Sequence, residues 1–179
     1  DKVRSQTERL TELVNSLVSL SRMDEENPPF HPAQFCISDT VRETAESFED
    51  FAAANGKRLK LDIAPGIAYF GDEYAVRQLI SVLADNAVKY SSAGSDIELS
   101  LKPGKKGIVI KTVNECGGIT REQLDRLFDR FYRADPSRSS ARGFGIGLSL
   151  ARSIAEAHNG SITARSEDGK TVEFTVLLR

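Results

Sequence analysis

Leu83-Ala84-Asp85-Asn86-Ala87-Val88-Lys89-Tyr90-Ser91 is the stretch on which the reading of this chain turns. It completes an apolar series, Val76, Leu79, Ile80, Leu83 and Ala87, whose spacing predicts an amphipathic helix. Asp72 is a candidate N-cap, so the helix is expected from there to about Tyr90. That leaves Asn86, Lys89 and Tyr90 at its C-terminal end. Further along, Gly143-Phe144-Gly145-Ile146-Gly147-Leu148 is a glycine-rich loop running into a second helix, which Asn159-Gly160 closes just after His158. Between the two lies Leu127-Phe128-Asp129-Arg130-Phe131-Tyr132-Arg133.

Strand periodicity fills the rest. Gln34–Ile37 reads as a short strand, and Ser38 as the N-cap of a helix to about Asn55, stopped by Gly56. Leu59, Leu61 and Ile63 alternate, and Pro65-Gly66 turns the chain toward a strand over Ile67–Phe70. A hairpin follows, with Ile97, Leu99 and Leu101 on one arm and Ile108, Ile110 and Thr112 on the other. Thr120 and Gln123 form a capping-box signature for a helix to about Phe128. A second hairpin, turning at Asp168-Gly169, ends the chain. The expected fold class is α+β, a two-layer α/β sandwich with helices on one side of a mixed, mostly antiparallel sheet.

Residues 1–26 predict one long preceding helix. Val3, Leu10 and Leu17 lie at heptad spacing, and Leu13 and Leu20 occupy the alternate seam positions, with Gln6 at the first. Such a seam calls for a partner helix, either from another chain, as in a homodimer through this helix, or from a segment outside this chain. Asn27-Pro28-Pro29 breaks the pattern and sets the boundary with residues 27–179.

The bulk numbers exclude several classes. A net charge of −2 over 179 residues gives no field for nucleic acid or anionic lipid. No apolar run is long enough for a membrane segment. Cys36 and Cys116 make neither a disulfide framework nor a zinc spacing. His31 lies in a Pro-rich loop, and His158 reads as a cation complementing a helix C-terminus.

In their order, the three quoted segments resemble the N box, F box and G2 box of sensor histidine kinases. Residues 27–179 are similar to the catalytic ATP-binding domain of that family, a Bergerat-type fold shared with gyrase. Residues 1–26, ending Leu20-Ser21-Arg22-Met23-Asp24, resemble the second helix of the dimerisation and phosphotransfer hairpin. The resemblance implies that the first helix, with the phosphoacceptor His, lies outside this chain. It implies ATP and Mg²⁺ as cofactors, transfer of the γ-phosphoryl group to that His, and relay to a response regulator. It also implies a cytoplasmic domain of a membrane-anchored bacterial sensor. The competing expectation is a weak or inactive regulatory and dimerisation module.

Carried over residue by residue, the resemblance makes Asn86 the Mg²⁺ ligand, through a neutral hard oxygen. Lys89 reaches a phosphate as a point charge, and Tyr90 packs along the nucleotide. Asn114-Glu115-Cys116-Gly117-Gly118-Ile119 aligns with the family's G1 box, giving Asn114, Gly118 and Ile119 adenine-side roles. Asn114 stands where the family has Asp, Cys116 where it has Gly, and Val82 where many members have a second Asn. Gly143, Phe144, Gly145, Ile146, Gly147 and Leu148 would form the lid, presenting backbone N–H groups to phosphates. Arg133 is the expected phosphate contact that assists transfer by charge stabilisation. Arg138 and Arg142 are further lid candidates, and Phe128 and Phe131 are expected to anchor the lid base in the core.

Overall fold

The computed structural model describes residues 30–134 and 144–179, together with Thr11, Val14 and Val18, which are helical and exposed. The seam positions Val3, Gln6, Leu10, Leu13, Leu17 and Leu20 lie outside the described residues, as do the 26/27 boundary, Arg138, Arg142 and Gly143.

The elements run β1 (Ala33–Cys36), α1 (Ile37–Glu46), α2 (Glu49–Ala54), β2 (Arg58–Ile63), β3 (Ala68–Gly71), α3 (Glu73–Tyr90), β4 (Asp96–Gly104), β5 (Gly107–Glu115), α4 (Arg121–Arg126), α5 (Gly147–Ala157), β6 (Ser161–Arg165) and β7 (Thr171–Leu178). The five-stranded sheet has the order β2-β4-β5-β7-β6; β2 pairs parallel with β4 and the other pairs are antiparallel. A small antiparallel pair, β1-β3, stands apart. Residues of one parity on β4, β5 and β7 face the helical layer, where Leu99, Leu101, Ile110, Phe174 and Val176 meet Leu79, Ile80 and Leu83 of α3 and Ile154 of α5. Each such side chain contributes about 1.5–3 kcal/mol by leaving water. Helix α3 is the hub, packed against both α1 and α5. This is the two-layer sandwich that the periodicity predicts.

Local chemistry explains most boundaries. Asp72 Oδ1 accepts from the N–H of Ala75 at 3.0 Å, capping α3. Thr120 and Gln123 complete their capping box. Two expectations fail. The helix after β1 does not run unbroken to Asn55; it divides at Ser47-Phe48. There the Ser47 hydroxyl donates to Thr44 O at 2.6 Å, a side-chain bond that competes with helix continuation. Ser38 is not an N-cap but lies within α1, bridging two strand ends: it donates to Ala64 O at 2.6 Å and accepts from Ile67 N at 2.9 Å.

His158 does end α5, but its ring turns into the interior. It is buried, its Nε2 accepts from the Asp72 N–H at 3.1 Å, and its Nδ1 lies 2.8 Å from Ile154 O. Tyr69 stacks on it at 5.9 Å between centroids, and Phe30 meets it edge-on at 4.9 Å. The N–H of His31 donates to Asp72 Oδ2 at 2.9 Å, so this loop residue also ties into the cap of α3.

The Tyr69 hydroxyl donates to Arg179 O at 3.1 Å, and burial pushes its pKa up to about 12. A raised native pKa means that the folded protein holds a proton which the unfolded chain releases. The stabilisation is therefore fully present below the ordinary value of 10.0 and is lost as pH rises through about 12. Of the four tyrosines, one is expected to ionise near pH 12 in an ultraviolet absorbance titration, and Tyr69→Phe should remove that step.

Candidate functional site

The C-terminal half of α3 forms one wall of a cavity of about 380 Å³. That volume falls within the range of small-molecule sites. Val82, Asp85, Asn86, Lys89 and Tyr90 line this wall, because helical spacing turns them to the side of α3 not spent on the core. The floor is apolar, made by Val172 and Phe174 of β7. The loop after β5, Cys116 to Ile119, closes one end. The other end is built from Tyr132, Arg133 and Ala134 and from Phe144 through Leu148, the last of these entering α5.

The α3 wall carries charged groups and the β7 floor is apolar. Lys89 Nζ lies 2.7 Å from Asp85 Oδ2, an i,i+4 pair at the solvent edge. The pair is half-buried and still reached by water, so an anion in the cavity can compete for the ammonium. Arg133 and the start of α5 line the same space, and a helix N-terminus favours negative charge. The floor of Val172 and Phe174 suits a flat apolar or aromatic group.

Gly145 fixes the lid base. Its φ is +72°, and its carbonyl accepts from the Phe131 N–H at 2.8 Å. A Cβ there would lie 2.6 Å from Tyr132 O and 2.7 Å from Phe131 C. Phe131 itself has φ 62° and is 62% exposed. The expectation that it anchors the core is therefore corrected: the backbone turn that meets Gly145 swings its side chain outward. Phe128 does pack inward, edge-on to Phe174 at 6.3 Å. Arg126 lies over the Tyr132 ring at 4.3 Å, steadying the same segment.

Asn114 is not among the lining residues, but it is the cross-strand neighbour of Val172 in the floor. It is buried and faces Val172 across the β5–β7 ladder, so the two side chains share a sheet face. Its Nδ2 donates to Glu115 O at 3.1 Å, while its Oδ1 is a buried acceptor without a partner. Cys116 takes an ordinary negative φ, whereas Gly118 has φ +115°. Cys116, standing where the family has Gly, is therefore accommodated without backbone strain.

The structure thus brings Asn86, Lys89, Tyr90, Gly118, Ile119, Arg133, Phe144, Gly145, Ile146, Gly147 and Leu148 around one cavity, with Asn114 beside Val172 of its floor. Sequence reasoning gave no role to Leu127, Val172 or Phe174 in it. The alternation of Val172 and Phe174 looks like any core strand, and only the pairing of β5 with β7 puts them under the cavity, while Leu127 reaches it from the segment just after α4. Val82, noted only as a departure, sits in the wall, and its Cγ1 would meet a Cβ at Gly147 at 3.3 Å.

A donor set with the Asn86 amide oxygen and a carboxylate beside it fits a hard divalent cation that keeps most of its water and is shared with phosphates. Among the described residues no cluster of His, Cys, Asp and Glu could cage a metal alone. No described helix is long and apolar enough to cross a membrane.

The family model described as Histidine kinase-, DNA gyrase B-, and HSP90-like ATPase matches residues 71–179. Sensor histidine kinase RppB of Synechocystis is 35% identical over 98% of this chain and 39% of its own length. Sensor protein DltS of Streptococcus agalactiae is 32% identical over 93% of this chain and 42% of its own. The chain thus spans less than half the length of these curated relatives. The Acinetobacter baumannii histidine kinase AdeS superposes with a TM-score of 0.80 at 25% identity, covering 99% of this chain and 81% of that one. ShkA, solved full-length in complex with AMPPNP, gives a TM-score of 0.86 at 23% identity over 99% and 37% of the two chains.

Proposed function

This chain belongs to the family of histidine kinase-, DNA gyrase B- and HSP90-like ATPases, as the ATP-binding catalytic domain of a two-component sensor kinase, and from that premise we propose how its cavity works. The adenine lies on Val172 and Phe174, and its amino group donates to Asn114 Oδ1. The single observation that carries this placement is that buried, partnerless oxygen beside Val172 of the apolar floor. A buried acceptor left unmade costs about 1–3 kcal/mol, which a ligand donor would recover.

The phosphates then extend toward Lys89, Arg133 and the lid segment at Gly145-Ile146-Gly147. Asn86 is the residue that would hold Mg²⁺, which supplies charge neutralisation between the phosphates when bound. Val82 offers no second polar contact there. Arg133 stabilises charge that develops on the γ-phosphoryl group, and the backbone N–H groups before α5 orient it. The acceptor is a His on a helix outside this chain, and relay to a response regulator follows. Residues 1–26 form part of the dimerisation and phosphotransfer hairpin, and residues 27–179 the catalytic domain of a membrane-anchored bacterial sensor, on its cytoplasmic side. The homodimer forms through the N-terminal helix. No observation favours the inactive regulatory module over this reading.

Isothermal titration with a non-hydrolysable ATP analogue, with and without Mg²⁺, tests the proposal. The wild-type chain should bind and should bind more tightly with Mg²⁺. Asn86→Ala should lose that Mg²⁺ dependence and about tenfold in affinity, roughly 1.4 kcal/mol. A folded wild-type chain that binds no analogue at millimolar concentration would overturn it.

A further inference from the structure

The loop that closes one end of the cavity does not hold itself. Its Cys116 N–H donates to Lys170 O at 2.6 Å and its Ile119 N–H to Gly169 O at 2.8 Å. Both acceptors belong to the turn between β6 and β7, beyond the end of the Glu115–Thr171 pairing. That turn is itself organised by one side chain. Asp168 Oδ1 accepts from the N–H of Lys170 at 2.8 Å and of Thr171 at 2.7 Å, and Oδ2 accepts from the Thr171 hydroxyl at 2.9 Å. Gly169 sits between them at φ +69°, a conformation that the aspartate bonds help to select.

We propose that Asp168 is a positioning residue for nucleotide binding: its carboxylate sets the β6–β7 turn, whose two carbonyls hold the Cys116–Ile119 loop in its binding geometry. The inference rests on the nucleotide reading above for its consequence, but not for its mechanism. Asp168 touches no ligand. It acts through Gly169 and Lys170, whose carbonyls accept from the Cys116 and Ile119 N–H groups of that loop. The three donors hold the carboxyl ionised, with a pKa lowered from 3.8 to about 2. The depressed native value means the anchoring is present above the ordinary value and is lost only as pH falls through about 2. Across the physiological range the carboxylate stays ionised.

The experiment compares the full chain with Asp168→Ala, Asp168→Asn and Val176→Ala. Val176 is a fully buried residue of β7 that does not line the cavity and serves as a control for general destabilisation. Two readouts are taken well below unfolding: the Kd for the Mg²⁺ complex of a non-hydrolysable ATP analogue, and amide hydrogen exchange in nucleotide-free protein. Asp168→Ala should raise Kd about tenfold. It should also speed exchange at the Cys116 and Ile119 amides specifically. Asp168→Asn keeps an oxygen acceptor for the two backbone N–H groups and should restore most of both. Val176→Ala should lower the melting temperature without moving either. Wild-type Kd and unchanged exchange at Cys116 and Ile119 in folded Asp168→Ala would overturn the inference, as would equal changes in Val176→Ala. If the wild-type chain binds no nucleotide, the proposed function fails by itself. The exchange readout then still decides whether Asp168 governs the loop.

Discussion

Gly145→Ala is expected to weaken binding of the ATP analogue about hundredfold, near 2.7 kcal/mol, while leaving the protein folded. Two effects add. The residue has φ +72°, which costs a non-glycine about 1 kcal/mol. Its new Cβ would also lie 2.6 Å from Tyr132 O and 2.7 Å from Phe131 C, both backbone atoms that cannot rotate away. Relief requires the segment from Phe131 to Ala134 to move, and that segment carries Tyr132 and Arg133 into the cavity. The Phe131 N–H to Gly145 O bond is lost in the same movement. Gly94→Ala is the matched control. Gly94 has φ +75° with nothing within 4 Å of a Cβ, so it suffers the strain without the collision. It should lower stability by about 1 kcal/mol and leave affinity unchanged. Titration calorimetry beside urea denaturation separates the two. Equal affinity in Gly145→Ala and wild type would show that the cavity does not depend on this backbone contact.

His158→Ala should be the most destabilising single change outside the apolar core, at about 3–4 kcal/mol by urea denaturation. The imidazole is buried between Tyr69 and Phe30, so its removal opens a cavity. It also strands the Asp72 N–H, which has Nε2 as its acceptor. Asp72 begins α3, so the loss is felt at the start of the helix that ends in Asn86 and Lys89. His158→Gln can return an oxygen acceptor to the Asp72 N–H and should recover part of the loss. A change below about 1 kcal/mol for His158→Ala would mean that the site collapses freely, and would contradict the tight fit against Gly71, where a Cβ would lie 2.8 Å from the ring.

The chain itself determined the sandwich and the order of its parts. Periods of two and of 3.6 residues are local properties, and so are caps such as Asp72 and Thr120, whose side chains bond within the next turn. Asn86, Lys89 and Tyr90 were legible for the same reason: helical spacing alone puts them on one end of α3. Contacts between distant segments were not legible. Ser38 looks like a cap in isolation, yet its hydroxyl is taken by Ala64 and Ile67. His158 looks like a helix-end cation, yet the burial of Asp72 beside it makes it an acceptor. Phe131 looks like a core anchor, yet Gly145 turns it outward. The apolar floor of Val172 and Phe174, and the turn at Asp168 that holds the Cys116–Ile119 loop, exist only because β7 lies beside β5. A hydrogen-bonding group or an apolar side chain has no fixed role until its partner arrives, and here those partners come from far along the chain.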